Sequence, residues 1–425
     1  KRVVILCVWL FSVVAGHAQL SLDECRRLAR ENYPEIRQYD LVHQTEQYNL
    51  SNAARAWIPQ LAFSAQATWQ TDAPNFPKEL TGMLAQQGLE IPGLRKDQYK
   101  VALELNQTIW DGGKSVADKR IARAEAAEQK TMTDVDLYEL EGRVDDLYFG
   151  ILLLDERIAQ TNLTLNLLRS NLEKVRALQR NGVAMQSDAD VLEAELLSVG
   201  QQLIQFESSC DSYRRMLGIF IGQKVGDRKL LRPSAVQPLS GESARPELAM
   251  FAAKIDRLMA QEKMVKSSSM PRLGFFAQGY YGYPGLDYMQ SMMNSDWSWN
   301  AMLGVKLSWN FGAYYTQKNN LNKLRTSRQQ VEVQRDVFLF NMNLQAAQEN
   351  GDIARLRKAI ADDDRIVALR RSVREAAESK LRNGIIDTHD LLSKITDEST
   401  ASMARSMREI ELLKAIYEYK HTINR

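Results

Sequence analysis

Four segments of the chain carry the period-two pattern of β-strands. In the first, Leu61, Phe63 and Trp69 share one face, and polar residues such as Gln66 lie between them. The third, Leu273 to Tyr283, is mostly apolar. The apolar positions of the second and fourth are Val101, Leu103, Leu105 and Ile109, and Leu303, Val305, Leu307 and Trp309. Each strand would run about ten residues, enough to cross a bilayer when tilted, although half-buried strands of a soluble sheet give the same pattern.

Two long segments without proline predict two long helices. They run from Gly113 to Gly182 and from Gly312 to Gly384, and at about 1.5 Å per residue each could extend roughly 100 Å. Apolar spacings of three and four predict a coiled-coil seam. In the first hairpin its positions include Leu140, Val144, Leu147, Ile151, Leu154, Ile158, Leu165, Leu168, Leu172 and Val175, then Leu192, Leu196, Val199, Leu203 and Phe206. A weaker seam follows at Ile353, Leu356, Ile360, Ile366, Leu369 and Val373.

The same plan of elements occurs twice: a helix, two strands, a long helix, a turn and a returning helix. Asn181-Gly182 and Asn383-Gly384 tolerate positive φ, so they predict that each long helix turns back as a hairpin. Pro59-Gln60-Leu61 matches Pro271-Arg272-Leu273, and both prolines should end an opening helix. We therefore predict a signal peptide at 1–18, a first repeat at 19–222, a connecting segment at 223–242 and a second repeat at 243–425.

The amino-terminal residues have the pattern of an export signal. Lys1 and Arg2 precede an apolar core from Val3 to Val14, and Gly16-His17-Ala18 resembles a cleavage site. The core is too short to span a bilayer, and no later apolar run is long enough. Export would permit a disulfide, but nothing brings Cys25 and Cys210 together, so both are predicted to be packed thiols.

Composition and motifs argue against several other functions. The chain has 55 Lys and Arg against 53 Asp and Glu, a net charge of +2, which gives no electrostatic case for nucleic-acid binding. It has no Walker, Gly-x-Ser-x-Gly, Cys-x-x-Cys or His-Glu-x-x-His motif. His389 beside Asp387 and Asp390 could form a metal or acid–base cluster, but acidic residues also favour the first turn of a helix. We predict no enzyme activity, cofactor or metal.

The number of strands predicts an oligomer. Four strands cannot close a membrane barrel, and open strand edges are not tolerated in lipid. Three chains with cyclic symmetry would supply twelve strands and twelve helices. The predicted fold class is therefore mainly α with membrane β: a trimeric twelve-stranded β-barrel continuous with a long α-helical barrel, built from two internal repeats.

With these features the chain resembles the TolC family of outer-membrane efflux proteins over essentially its whole mature length. The opening Leu20-Ser21-Leu22-Asp23-Glu24, the Asn32-Tyr33-Pro34-Glu35-Ile36 that follows, and the duplicated Pro-led strands, Trp-x-x-Gly junctions and Asn-Gly turns carry the resemblance. It implies a homotrimer in the outer membrane of a Gram-negative bacterium, with its helices in the periplasm. It also implies a periplasmic adaptor and an inner-membrane transporter as partners.

The resemblance also implies site residues. The adaptor would dock on the two turns, Arg180, Asn181, Gly182 and Val183, and Arg382, Asn383, Gly384 and Ile385. The pore constriction would consist of Asp387 and Asp390, where the family has acidic rings; Ser393 departs from the second ring position. The alternative is that both aspartates only cap the returning helix.

The predicted function is an exit duct that passively exports small molecules received from the transporter through the adaptor. A duct for type I protein secretion is the alternative within the same class. A structural coiled-coil surface protein without a pore is the alternative from a different class.

Overall fold

The computed structural model describes residues 19–88, 91–234, 243–383 and 385–424. The predicted signal peptide, Gly384 and residues 235–242 of the connecting segment lie outside the described residues. In chain order the elements are α1 (Leu22–Asn32), a short 3₁₀ helix (Pro34–Arg37), α2 (Gln38–Arg55), β1 (Gln60–Trp69), α3 (Lys78–Gln86), β2 (Asp97–Trp110), α4 (Lys114–Arg180), α5 (Gln186–Ile221), α6 (Pro246–Ser268), β3 (Arg272–Tyr283), α7 (Tyr288–Met293), β4 (Ser298–Ser308), α8 (Ala313–Arg382) and α9 (Thr388–Ile423).

These elements form two compact units, each of which draws on both halves of the sequence. The helical unit contains the chain up to Tyr39, Thr131–Met250 and the residues from Gln334 onwards. The sheet unit contains Asp40–Lys130 and Phe251–Val333. No helix among the described residues is both long and apolar enough to cross a membrane.

The opening helix of the first half is interrupted, which the sequence analysis did not predict. Ser21 caps α1, because its hydroxyl accepts a hydrogen bond from the Glu24 amide at 3.2 Å. The helix then stops at Tyr33, whose backbone is extended with ψ 128°. Pro34 follows it, and a proline disfavours the α conformation in the residue before it. The opening helices end shortly before the two prolines, α2 at Arg55 and α6 at Ser268, and β1 and β3 begin directly after Pro59 and Pro271.

The sheet has four antiparallel strands in the order β1-β2-β3-β4. Residues directly opposite in such a sheet share a face, so the register defines rows that cross all four strands. One apolar row is Leu61, Leu105, Ala277 and Leu303, and the next is Phe63, Leu103, Gly279 and Ala301. The opposite face carries Ala62, Glu104, Gln278 and Met302. The predicted alternation is therefore confirmed as two chemically different faces.

The helical unit buries most of the predicted first seam. Leu140, Val144 and Ile151 are fully buried, in a cluster that also contains residues of α1, α5 and α9. Cys25 and Cys210 lie in this same cluster as free, buried thiols, as predicted. Burial of the Cys25 thiol raises its pKa to about 12, so it stays neutral and packs as a small apolar group.

The second seam is covered along only part of its length within the single chain. Ile353 and Leu356 are buried in contact with α9. By contrast, Ile366, Leu369 and Val373 are exposed within the single chain. Their spacing is that of a seam, but no element of the described chain covers them.

Candidate docking turns and pore constriction

The turn between α4 and α5 is a Schellman motif. Val183 donates its amide to the Leu178 carbonyl and Gly182 donates to the Gln179 carbonyl, both at 2.9 Å. Gly182 has a φ of 72°, the left-handed region that glycine adopts without a steric penalty. The Asn-Gly pair thus ends the helix as predicted, and its hydrogen bonds satisfy carbonyls that the helix end would leave unpaired.

The turn between α8 and α9 makes the corresponding bond. Ile385 donates its amide to the Lys380 carbonyl at 2.9 Å, the same spacing as the bond from Val183 to Leu178. The Asn383 side chain also donates to the Ser379 carbonyl at 3.0 Å. The two turns therefore share their closing geometry in the residues that the structure describes.

Both turns lie at one end of the helical unit. A single apolar cluster joins the last turns of α4 and α8 to the first turns of α5 and α9; its buried members include Leu172, Val175, Ala189, Leu192, Ala377, Leu391 and Ile395. Lys174 on α4 also contacts Glu378 on α8 at 3.4 Å. The residues of the two predicted docking turns are thus brought together.

All the described docking residues are exposed: Arg180, Asn181, Gly182 and Val183, and Arg382, Asn383 and Ile385. Val183 and Ile385 are large apolar side chains at the two tips, 66% and 68% exposed. Met185, 74% exposed, extends this apolar surface, and the sequence analysis missed it. Its signal was available, because it is an apolar residue just before the first turn of α5.

Asp387 is the N-cap of α9. Its carboxylate accepts a hydrogen bond from the Asp390 amide at 2.8 Å. Asp387 therefore caps α9, and the side chains of both Asp387 and Asp390 are exposed. His389 is exposed as well, and no group of acidic, histidine or cysteine side chains within the described residues could hold a metal ion.

The acidic side chains after the first turn already have hydrogen-bond or ion-pair partners within the chain. Asp188 accepts a hydrogen bond from the Met185 amide at 2.8 Å, and Asp190 accepts one from the Gln186 side chain at 2.7 Å. Glu193 pairs with Arg176 at 2.6 Å. Neither Arg180 nor Arg382 pairs with these aspartates among the described residues of one chain.

Ion pairs that the sequence analysis missed hold the second hairpin together. Arg374 pairs with Glu398 across α8 and α9 and with Glu378 at 2.5 Å along α8. Burial opposes the charge of Arg374, but these carboxylates outweigh it and raise the pKa of the guanidinium. Arg370 pairs with Asp397 at 2.7 Å. The pairs of Arg374 with Glu398 and Arg370 with Asp397 join residues far apart in sequence, which only the hairpin register brings together.

Comparison with known proteins agrees with this architecture. The model of the outer membrane efflux protein family matches residues 26–222. The outer-membrane channel OprN matches 95% of this chain and 89% of its own, with 14% identity and a TM-score of 0.69. VceC from Vibrio cholerae matches 95% of both chains, with 15% identity and a TM-score of 0.67. The MtrE channel of Neisseria gonorrhoeae matches 95% of this chain and 88% of its own, with 14% identity and a TM-score of 0.65.

No curated protein sequence matches the chain. At these identities the solved structures establish the fold, while the family model supplies the sequence relationship. The solved structures extend the likeness over nearly the whole chain, beyond the segment that the family model matches. Residues 26–222 thus match the outer membrane efflux protein family in sequence, and the chain shares the fold of these channels over nearly its whole length.

Proposed function

We propose that three copies of this chain form the outer-membrane exit duct of a tripartite efflux pump. The observation that carries the proposal is the sheet, which has one apolar and exposed face, one polar face and two unpaired edges. Leu61, Phe63, Leu303, Val305 and Leu307 all expose large apolar side chains on the same face. Contact with lipid on the apolar face and with a water-filled channel on the polar face would match the chemistry of each face.

The edges of the sheet support a cyclic oligomer. β1 and β4 are the outer strands, so each has one side without a hydrogen-bonding partner among the described residues of the chain. Because the sheet has an even number of antiparallel strands, β4 of one copy would also run antiparallel to β1 of the next. Three copies would close twelve strands into a barrel without an open edge.

The exposed seam of α8 supports the same oligomer. Val337, Phe340 and Leu344 are more than half exposed at spacings of three and four, and the exposed Ile366, Leu369 and Val373 repeat these spacings. Such a stripe is expected to pack on another helix. Helices of neighbouring copies are the partners that a cyclic trimer would provide.

The exposed tips support docking to a partner in the periplasm. Val183, Met185 and Ile385 present apolar side chains beside the charged Arg180 and Arg382. An apolar centre with an arginine rim is the composition of a protein interface. We assign the periplasmic adaptor to this surface and an inner-membrane transporter to the far side of the adaptor.

We assign the pore constriction to Asp387 and Asp390. Three copies of each carboxylate around one axis would focus a negative potential and favour cations. Asparagine caps a helix about as well as aspartate does, whereas alanine does not. Asp387→Asn should therefore reduce cation preference while the helix start is kept. If cation preference changes only in Asp387→Ala, the residue acts through its cap and the constriction lies elsewhere.

Small-molecule efflux is favoured over type I protein secretion because the matching family is one of efflux proteins. The test is conductance of the purified protein in a planar bilayer. Discrete channel events, blocked by multivalent cations from the turn side, are expected. A purified trimer that inserts without conductance would contradict the duct and favour the structural surface protein.

A further inference from the structure

The polar face of the sheet borders a cavity of about 540 Å³ within the sheet unit. Residues of β2, β3 and β4 line it, together with the start of α4. Two cationic side chains line the cavity on this face. Arg272 lies at the start of β3 and Lys306 near the end of β4, and both are exposed. The register puts Arg272 opposite Ser308 and Lys306 opposite Gly274, so the cations are diagonal neighbours on one face.

The carboxylates that line this cavity already have partners. Glu104 accepts a hydrogen bond from Gln278, which in turn accepts one from Lys100 at 3.0 Å. Asp111 accepts the amides of Gly113 and Ser115, at 2.9 Å and 2.6 Å.

The third lining carboxylate, Asp118, pairs with Lys114 at 2.8 Å. By contrast, neither Arg272 nor Lys306 has an ion-pair partner among the described residues. These two side chains are therefore the cationic donors that remain available to a ligand in the cavity.

A glycine opens a recess between the two cations. Gly274 lies opposite Thr108 on one side and Lys306 on the other. A Cβ added at Gly274 would meet only the Gln107 carbonyl, at 3.3 Å, and otherwise open space. An anionic group placed there would be within reach of the long side chains of Arg272 and Lys306 and of the Thr108 hydroxyl.

We infer that this recess binds the carboxylate or phosphate group of a small organic anion, with Arg272 and Lys306 as its ligands. A guanidinium and an ammonium donate charge-assisted hydrogen bonds, and arginine matches the planar fork of a carboxylate. That the anion is a transported substrate rests on the proposed duct. The binding itself does not depend on the duct, because the site lies within the sheet unit of one chain.

The first arm of the test is calorimetric titration of the full-length protein in neutral detergent, which contributes no lipid phosphate. Citrate and inorganic phosphate are the two probes, and they distinguish the carboxylate from the phosphate preference. Wild-type protein should bind at least one of them saturably. Arg272→Gln with Lys306→Gln should weaken that binding by about tenfold or more, the effect expected on losing charged hydrogen bonds.

Two further variants serve as controls. Arg357→Gln with Lys358→Gln removes the same charges from an exposed part of α8 in the helical unit and should leave binding unchanged. Arg272→Lys with Lys306→Arg keeps both charges and should retain most of the affinity. No saturable binding by the wild type, or an equal loss in the α8 control, would overturn the site.

The second arm is block of single-channel conductance by the anion that binds. The wild type should be blocked, and Arg272→Gln with Lys306→Gln should be blocked only at about tenfold higher concentration. If both proteins conduct and the anion blocks them at the same concentration, the anionic substrate class is contradicted while the duct stands. Binding without any conductance would contradict the duct while the anion site stands.

Discussion

The helical unit and the sheet unit differ in where they place their large apolar side chains. Leu137, Leu140 and Val144 of the helical unit are fully buried within one chain. Phe63 and Leu303 of the sheet unit are 73% and 75% exposed. The hydrophobic effect therefore stabilises the helical unit from within, whereas the sheet leaves apolar surface that water would not tolerate at this extent. The sheet therefore depends on its surroundings for the stabilisation that the core of the helical unit provides within one chain.

The largest expected effect comes from a charge buried in the helical unit. Arg26 donates to both carboxylate oxygens of Asp145, one at 2.7 Å, and the two side chains are 22% and 10% exposed. Arg26→Met would leave that carboxylate buried and unpaired, at a cost of about 3–5 kcal/mol in the free energy of unfolding. Thermal melting of the helical signal would measure the loss.

The neighbouring Arg27 is the matched control. It pairs with Glu31 at 2.9 Å, but both side chains are more than half exposed. Arg27→Met should change the free energy of unfolding by about 0.5 kcal/mol or less, because an exposed pair contributes little. Equal losses for the two variants would show that burial does not decide the contribution of these pairs.

The next effect separates the two faces of the sheet. Leu303 lies on the apolar face and Met302 on the polar face of β4, at nearly the same depth. Leu303→Arg should cost about 2–4 kcal/mol if its face meets lipid, whereas Met302→Arg should be tolerated. The yield of protein folded into the outer membrane is the measurement. If the arginine at 302 is the more harmful of the two, the faces have been assigned the wrong way round.

A smaller effect depends on pH and belongs to the helical unit. The His421 ring stacks on Tyr138, with centroids 4.1 Å apart. Burial, followed by the nearby charges of Arg245 and Arg26, lowers the pKa of His421 from 6.5 to about 4. The unfolded chain thus binds a proton that the folded chain excludes. The stabilisation is complete above pH 6.5 and is lost as the pH falls towards 4.

His421→Phe keeps the stacking but cannot be protonated. The free energy of unfolding of this variant should therefore fall less between neutral and acidic pH than that of the wild type, by on the order of 2 kcal/mol. His389→Phe is the control, since His389 is exposed near the second turn. Melting both variants from pH 7 to pH 4 tests the assignment, and identical profiles for wild type and His421→Phe would rule it out.

The smallest expected change in stability is at the first turn. Gly182 and Gly200 both have room for a Cβ, but only Gly182 has a positive φ. Valine at Gly182 should cost about 1–2 kcal/mol of backbone strain, and valine at Gly200 much less. Export should fall in Gly182→Val while trimer yield stays near normal. A matching fall in Gly200→Val would point to the helix rather than the turn.

The sequence predicts where the helices and strands lie better than it predicts what packs against them. Alternation fixed the four strands, and proline-free segments ending in Asn-Gly fixed the long helices and their turns, because these signals are local. The same kind of pattern predicted a seam at Ile366, Leu369 and Val373, and no described element of the single chain covers these residues. A heptad shows that a helix has an apolar stripe, but not which helix covers it.

In the candidate site, too, the sequence predicts the features that depend on local turn chemistry and misses those that depend on helix packing. The exposure of Val183 and Ile385 and the cap by Asp387 could be derived from turn chemistry. The pairs of Arg374 with Glu398 and Arg26 with Asp145 could not, because each joins residues whose contact depends on helix packing. Asp387 follows a local rule in capping α9, whereas its proposed role in a pore depends on the arrangement of the copies.

The stoichiometry of the purified protein tests the central claim most directly. In the proposed duct the edges of β1 and β4 pair between copies, since neither has a partner among the described residues of its own chain. Native mass measurement of the detergent-solubilised protein should therefore give a complex of three chains. A protein that is folded, inserted in membranes and found only as a monomer would contradict the account.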